Sequence, residues 1–593
     1  MFKFKLMPFI TVIILGISLI FNNVSHPKAI IALSTGVFLL LVLNLLKKVS
    51  LNKEIFTVSL LLIVTNILSL ILSQTGNLGL SEITFEVSIL VYFLVLSNSK
   101  LDQSSNKLIL LSLVGFASIE AIIGVSQFLF REENRIAGTF LSAYNKANYF
   151  PNAFALFLLL TTPLILTLEN LKLRYFCLLL SATALFLTFS RGGLLVFIGQ
   201  LSIINLYYFY RKEYKTVLNI VIIIILSGLL ALGINQIRQN LNLEQQNLTE
   251  KITFNSTERI TSINERSEFF INTPKLIIQK PLFGYGPESF SFIYPQVQPR
   301  FIANAPHPHN IFLKIAVEKG LIALLLFITL LVFIIKIVIQ NKTKILNDPT
   351  NALILISILG GFAHNQIDYN LNFVSNYFII FMLTGMLISN LKDNHDPLQI
   401  NLKAKITLLL IIVALSGFWL FNEFKLKISQ KLITSNSEIS AKILETTNYK
   451  NSKIILADIY KQQKDSDKEI QTLESHINYN KLDAFSLNRL GGLYLKKNDS
   501  KKSNQNYLKA IQIDPNNNWE YFYEYYKQNP QILKSDKAKI TQKLQNYSFQ
   551  AENNMHYTAQ TPNLSYAIKL SKLLGQTRLT QSLEDSQERF STN

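Results

Sequence analysis

Of the 593 residues only one, Cys177, is a cysteine, which excludes an intramolecular disulfide and any metal site built from clustered cysteines. Charge is also sparse. Asp, Glu, Lys and Arg make up 16% of the chain against 49% hydrophobic residues, and the mean hydropathy is +0.27. A soluble globular protein of this length carries more charge than that, so water is not the main solvent of this one. No GxxxxGK[ST] loop occurs, and nothing points to the binding of nucleotide phosphates.

In place of charge the chain has long apolar runs. LLVFIGQLSIINLYYFY at 194–210 and VLNIVIIIILSGLLALGI at 217–234 each approach the ~20 residues that a helix needs to cross a bilayer. The first run, 7–21, follows Lys3 and Lys5 as in a signal peptide, but no small-residue cleavage site comes after it, and Pro27 and Lys28 lead straight into the next run. Spans are expected near 7–21, 29–46, 55–73, 83–97, 108–130, 149–168, 173–189, 193–210, 216–234, 311–335, 351–363, 374–390 and 406–421, with 351–363 the short one.

The basic residues test this division, because Lys and Arg concentrate on the cytoplasmic side of membrane proteins. With the N-terminus inside, the inside segments hold 18 of them, while the short outside loops hold 5: Lys28, Arg131, Arg135, Lys146 and Arg191. The asymmetry predicts a cytoplasmic N-terminus in a bacterial cytoplasmic membrane. It places the long 235–310 loop and everything after Phe421 outside the cytoplasm. The net charge of +19 thus reads mostly as topology, with no nucleic-acid partner.

The expected fold is all-α: a polytopic bundle of 12–13 spans over 1–421, then an extracytoplasmic α-helical solenoid over 422–593. The second part is polar and repeats with a 34-residue period. From Ala484, the residues Leu487, Leu490, Gly491, Tyr494, Ser503, Tyr507, Ala510 and Pro515 fill the tetratricopeptide positions. A weaker copy one period earlier has Leu456, Ala457, Tyr460 and Leu473, with His476 where a small residue is expected. Small residues let paired helices approach closely. The repeats cover about 450–517, and 422–450 and 518–590 read as capping helices.

Three outer segments place polar groups where hydrophobic packing does not require them. The first is Ser190-Arg191-Gly192-Gly193: the planar fork of an arginine suits phosphate oxygens, and the glycines would let a ligand near the backbone. The blander reading is a snorkelling arginine that closes a helical hairpin. The second is the 235–310 loop, too long for a mere connector, with Glu265-Arg266-Ser267, Pro281-Leu-Phe-Gly284-Tyr-Gly286, and Ala305-Pro-His307-Pro-His309-Asn310. Pro308 between the histidines, and no carboxylate cluster nearby, argue against a metal. A histidine at a helix entrance suits a general base or a hydrogen-bond donor; a helix-capping turn is the competing reading. The third is Ala363-His364-Asn-Gln-Ile-Asp368-Tyr369, where His364 and Asp368, four apart, would share a helix face. Glu120, inside the fifth span, is a further candidate, with a hydrogen-bonded structural glutamate as the alternative.

Taken together, Ser190-Arg191-Gly192-Gly193, Arg266, Gly284-x-Gly286, His309-Asn310-x-Phe-Leu, Glu318-x-Gly320-Leu321 and His364…Asp368 resemble the O-antigen ligase/polymerase family over roughly 108–391. Such enzymes move glycans from an undecaprenyl-pyrophosphate carrier, and some relatives carry a tetratricopeptide region. The resemblance implies a metal-independent, inverting glycosyltransferase with no cofactor. Arg191 and Arg266 would grip the pyrophosphate, His309 would act on the acceptor hydroxyl, and His364, Asp368 and His307 would support the site. The aromatic usual after the loop arginine appears as Phe269-Phe270, and His307 competes with His309. The acceptor, whether polysaccharide, lipid or protein, stays open. Two other readings are a transporter, for which Glu120 is the strongest intramembrane candidate, and a scaffold that displays the repeats to a protein partner.

Overall fold

Each expected span forms a helix in the computed structural model, which describes residues 6–45, 50–99, 101–131, 135–140, 150–241, 257–298, 305–391, 398–399, 402–553 and 564–591. Of the charges counted above, Lys3, Lys5, Lys47, Lys48, Lys100, Lys146 and Lys392 lie outside the described residues, as do 242–256 and 299–304 of the long loop and 554–563 near the end. The first nine helices are α1 (Leu6–Ile20), α2 (Pro27–Asn44), α3 (Lys53–Ile71), α4 (Leu80–Ser97), α5 (Gln103–Phe130), α6 (Pro151–Ile165), α7 (Leu171–Leu187), α8 (Arg191–Tyr210) and α9 (Tyr214–Asn240). After them come α10 (Thr257–Gln279), the short α11 (Phe290–Ile293), α12 (Ile311–Gln340), α13 (Lys342–Asn347), α14 (Pro349–His364), α15 (Val374–Leu391) and α16 (Leu402–Leu432). Among the described residues nine helices are long and apolar enough to cross a membrane, and α1, α6 and α14 are shorter apolar helices.

Local chemistry sets where these helices begin. Asn52, Asp102, Asn170, Ser190, Asn310 and Asp348 accept hydrogen bonds from first-turn N–H groups, and Pro27, Pro151 and Pro349 occupy first-turn positions. α4 and α15 are buried along nearly their whole length, while α9 turns Leu218, Ile225 and Leu229 outward. Lipid offers no hydrophobic drive between helices, so packing and polar contacts hold them together. Tyr92 lies against Phe378 with ring centroids 4.6 Å apart, and its hydroxyl meets Thr11 Oγ1 at 2.7 Å. Gln200 Nε2 donates to the carbonyls of Leu159 and Ile356.

The connections gather at two ends. At one, Ser50–Leu51 pairs antiparallel with Leu398–Gln399 and Asn106 Nδ2 donates to Asn390 Oδ1 at 2.8 Å. At the other lie the α1–α2, α3–α4, α5–α6, α7–α8 and α14–α15 connections, with the long segment before α12. The 235–310 stretch is less of a loop than its sequence suggests: α9 continues to Asn240, and α10 is a helix of 23 residues.

α16 runs without a break through Phe421 to Leu432, so the change from apolar to polar sequence falls inside one helix. Beyond it lie α17 (Ser437–Glu445), α18 (Ser452–Gln462), α19 (Ser466–Tyr479), α20 (Ala484–Lys496), α21 (Ser500–Ile513), α22 (Trp519–Gln528), α23 (Pro530–Asn553), α24 (Ser565–Leu573) and α25 (Thr577–Ser591). The α20–α21 hairpin holds the clearer repeat read from the sequence, and α18–α19 forms the helical hairpin one period before it. A Cβ on Gly491 would sit 2.8 Å from the Tyr507 ring, which is why that position is small. His476, the exception in the first repeat, forms a buried pair with Asp483, Nε2 to Oδ2 at 2.9 Å.

The repeats are fastened to the bundle. Trp419 Nε1 donates to the Tyr449 hydroxyl at 3.1 Å, Lys481 N donates to the Gln74 carbonyl at 2.8 Å, and Asn516 Nδ2 donates to the Gln298 carbonyl at 2.6 Å. Leu482 joins an apolar cluster with Phe269, Tyr285 and Phe290.

Candidate functional site

The site is built on a break in α12. Gly320 takes φ 86° and ψ 172°, which only glycine adopts readily, so Ile311–Lys319 forms a half-helix of its own. The Pro281–Gly286 loop wedges into the break. Leu321 N donates to the Pro281 carbonyl at 2.7 Å, Tyr285 N to Val317 at 3.1 Å, and Gly286 N to Glu318 at 2.8 Å. A Cβ on Gly284 would lie 2.4 Å from the Glu318 carbonyl oxygen, and one on Gly320 would lie 2.1 Å from that of Leu282. The motif glycines thus serve close approach of backbone to backbone.

A buried charge cluster clamps the same half-helix to α4. Lys314 Nζ donates to both oxygens of Glu82 at 3.0 Å and also to Glu318. Lys319 pairs with Glu86 and lies 3.0 Å from Glu82. All five side chains are buried. In a low-dielectric interior each amine is tolerable only because carboxylates surround it.

The half-helix begins at Asn310, whose Oδ1 accepts from Leu313 N at 3.0 Å while its Nδ2 donates to the carbonyl and side chain of Gln366, both at 3.1 Å. Ile311 N adds a bond to the Asn365 carbonyl. The turn before α12 is thereby locked to the turn after α14. Just ahead of this cap, His309 sits at φ 52°, a left-handed conformation that costs a non-glycine residue about 1–2 kcal/mol. Its Nδ1 lies 2.7 Å from Asp368 Oδ1, and its ring stacks on Phe269 at 5.7 Å and 22°. The His309 side chain keeps 24% exposure against 8% for Asp368, so the histidine is reachable from outside and its partner is not.

His307 packs edge-on against His309 at 4.7 Å and against Tyr369 at 5.2 Å. Burial, with the His309 charge next, holds it well below the usual histidine range, and its Nδ1 has no hydrogen-bond partner among the described residues. The carboxylate therefore belongs to His309 and not to His307. Burial alone would push the Asp368 carboxyl up, but the His309 hydrogen bond and the charges of His309, Arg266 and His364 outweigh it and hold Asp368 below the usual carboxylate range.

Sequence spacing suggested that His364 and Asp368 share a helix face. The helix instead ends at His364, Asp368 N bonds to the His364 carbonyl, and the Asp368 carboxylate turns to His309 and to Asn152 Nδ2. His364 is fully buried, and neither ring nitrogen is hydrogen-bonded among the described residues.

Arg266 lies on α10 one turn before Phe269, and its charge acts on Asp368 and His364. Arg191 opens α8, where Ser190 Oγ accepts from Gly193 N at 3.2 Å. The two glycines here serve packing: a Cβ on Gly192 would lie 3.3 Å from Ile367, and one on Gly193 would lie 3.0 Å from Ala155. That contact sets the Arg191 turn against the segment carrying Asp368.

Glu120 has a definite structural role. Its carboxylate accepts from Thr139 N at 2.9 Å and Thr139 Oγ1 at 2.7 Å, and Gly138 takes φ 55° to pass it. This pins the 135–140 segment. Arg135, at the head of that segment, donates through Nε to the Thr188 carbonyl and through Nη2 to Asn152 Oδ1, both at 2.8 Å. Sequence reading singled out neither Asn152 nor Arg135 as a site residue; the one available signal was that Arg135 is among the few basic residues of the outside loops. Among the described residues no three His, Cys, Asp or Glu side chains group as metal ligands.

Fold and site define a multi-pass membrane protein with a docked helical repeat region and a polar, arginine-bearing group of residues at one end. The family model described as O-antigen ligase matches residues 176–328, and that described as tetratricopeptide repeat matches residues 486–517. No curated protein matches the chain. The first match spans Arg191, Arg266, His307, His309 and the Gly284–Gly320 wedge, and it supports a ligase- or polymerase-like function in making cell-surface glycan. Asn152, His364 and Asp368 fall outside it.

Proposed function

We propose that the protein transfers or polymerises a glycan from an undecaprenyl-pyrophosphate-linked donor onto an acceptor hydroxyl at the outer face of the cytoplasmic membrane. The observation that carries this reading is the His309–Asp368 pair, Nδ1 to Oδ1 at 2.7 Å, at the end of the bundle that also holds Arg191 and Arg266. With the Nδ1 proton directed at Asp368, Nε2 is left as a base. The acceptor O–H gives its proton to His309 Nε2 as the oxygen attacks the anomeric carbon from the face opposite the pyrophosphate. The bond from that carbon to the phosphate oxygen breaks, its electron pair leaves with the pyrophosphate, and the anomeric configuration inverts.

Arg191 and Arg266 supply the positive charge that stabilises the departing pyrophosphate. His307 and His364 line the pair without taking the proton. The reaction draws on the donor's own activated bond and uses no metal. The N-terminus is cytoplasmic and the repeats, outside, recruit an acceptor or a protein partner. Their fastening beside Phe269 supports that role.

The test is transfer by purified protein supplied with an undecaprenyl-pyrophosphate glycan, read as product formed and carrier released. Loss of transfer in Arg191→Ala, Arg266→Ala and His309→Ala, with wild-type activity indifferent to chelator, supports the reading. Activity that survives all three substitutions overturns it.

A further inference from the structure

Asp368 has two oxygens and a separate partner for each. Oδ1 faces His309, and Oδ2 accepts from Nδ2 of Asn152, the second residue of α6. The orientation of the Asn152 amide is itself dictated. Arginine can only donate, so the Asn152 atom 2.8 Å from Arg135 Nη2 is the oxygen, and the NH2 is left for the carboxylate. Arg135 is fixed in turn by the Thr188 carbonyl, 2.8 Å from its Nε, two residues before the Ser190–Gly193 turn. Three connections of the bundle end, α5–α6, α7–α8 and α14–α15, thus converge on one carboxylate.

We propose that Asn152, oriented by Arg135, is a positioning residue for the His309–Asp368 pair: it holds the Asp368 carboxylate so that Oδ1 receives the His309 Nδ1 proton and Nε2 stays free for the acceptor. The inference rests on the role proposed above for that pair. Without the amide, the buried Oδ2 has lost its donor, and a carboxylate free to turn no longer selects one imidazole tautomer. Among the described residues, the charged and titratable groups around Asp368 include His309 and His307 from the turn before α12, Arg266 from α10, His364 at the end of α14 and, through the Asn152 amide, Arg135 from the α5–α6 connection.

The experiment compares full-length wild type, Asn152→Ala, Asn152→Asp, Asp368→Asn and the double variant Asn152→Ala/Asp368→Asn in transfer from an undecaprenyl-pyrophosphate glycan. Asn152→Ala is expected to lower kcat by about tenfold to a hundredfold with the donor KM unchanged. The acid limb of kcat/KM should move to higher pH, because a carboxylate stripped of a donor holds the imidazolium more tightly. Asn152→Asp, which sets a second carboxylate beside the first, should move it further. In the Asp368→Asn background the alanine should cost nothing more. Arg135→Lys, which keeps the charge but loses the fork, should shift the limb in the same direction by less, and it reads the same property should Asn152→Ala fail to fold.

An Asn152→Ala enzyme with full kcat and an unmoved acid limb overturns the inference. So does a loss confined to donor KM, or one that multiplies with Asp368→Asn. If Asp368→Asn and His309→Ala themselves keep wild-type rates, it is the pair's role that fails.

Discussion

His309 Nδ1 lies 2.7 Å from Asp368 Oδ1 across 59 residues of chain, and the cap formed by Asn310 on Gln366 brings the two segments together. On the proposed mechanism, His309→Ala and Asp368→Asn should each lower kcat by about 10²–10⁴-fold while the protein still binds donor. Steady-state transfer alongside donor-binding measurements checks both halves.

His307 should leave a mark on stability. Burial, with the His309 charge next, holds it well below its ordinary 6.5, so as pH falls through 6.5 the unfolded chain takes up a proton that the folded protein refuses. Stability present above that pH is lost below it. His307→Gln is expected to flatten the dependence of the melting temperature between about pH 7 and pH 5, read by thermal unfolding in detergent.

Gly320→Ala should cost at least about 1–3 kcal/mol from its backbone conformation alone, before the clash of its Cβ with the Leu282 carbonyl. Both melting temperature and transfer should fall, because the half-helix carrying Asn310 loses its wedge. Gly417, whose Cβ would meet nothing within 4 Å, is the control: Gly417→Ala should hold or gain slightly.

Lys314→Met strips Glu318 of its amine and leaves Glu82 with Lys319 alone, and should destabilise by about 3–5 kcal/mol. Adding Glu82→Gln should recover part of the loss. The comparison needs only unfolding curves of the two variants and wild type.

The bundle was legible because its signal is long and redundant: thirteen apolar runs, with Lys and Arg sorted between their ends. Arg191 and His309 stood out because a charged or polar group beside an apolar span has no packing reason to be there, and Arg266 because the long loop that holds it matches the family pattern. What stayed hidden depended on long-range placement. Glu82, Glu86, Lys314, Glu318 and Lys319 sit at or within apolar runs, yet only the fold reveals that α4 and α12 bring them into mutual reach. Spacing suggested that Asp368 partners His364, because i and i+4 assumes a helix that in fact stops at His364. The Gly192–Gly193 pair read as room for a ligand; their second use, close packing on Ile367 and Ala155, needed the fold.

α16 has 31 residues, about 46 Å of helix at ~1.5 Å per residue, against a hydrocarbon thickness of about 30 Å. It is therefore a post as well as an anchor, and the Trp419–Tyr449 contact fixes the first repeats to its shaft. The Lys481–Gln74 and Asn516–Gln298 bonds supply further mounting points. A platform mounted at several points does not swing. On the proposed function, a partner held by the repeats is presented at a fixed distance from His309.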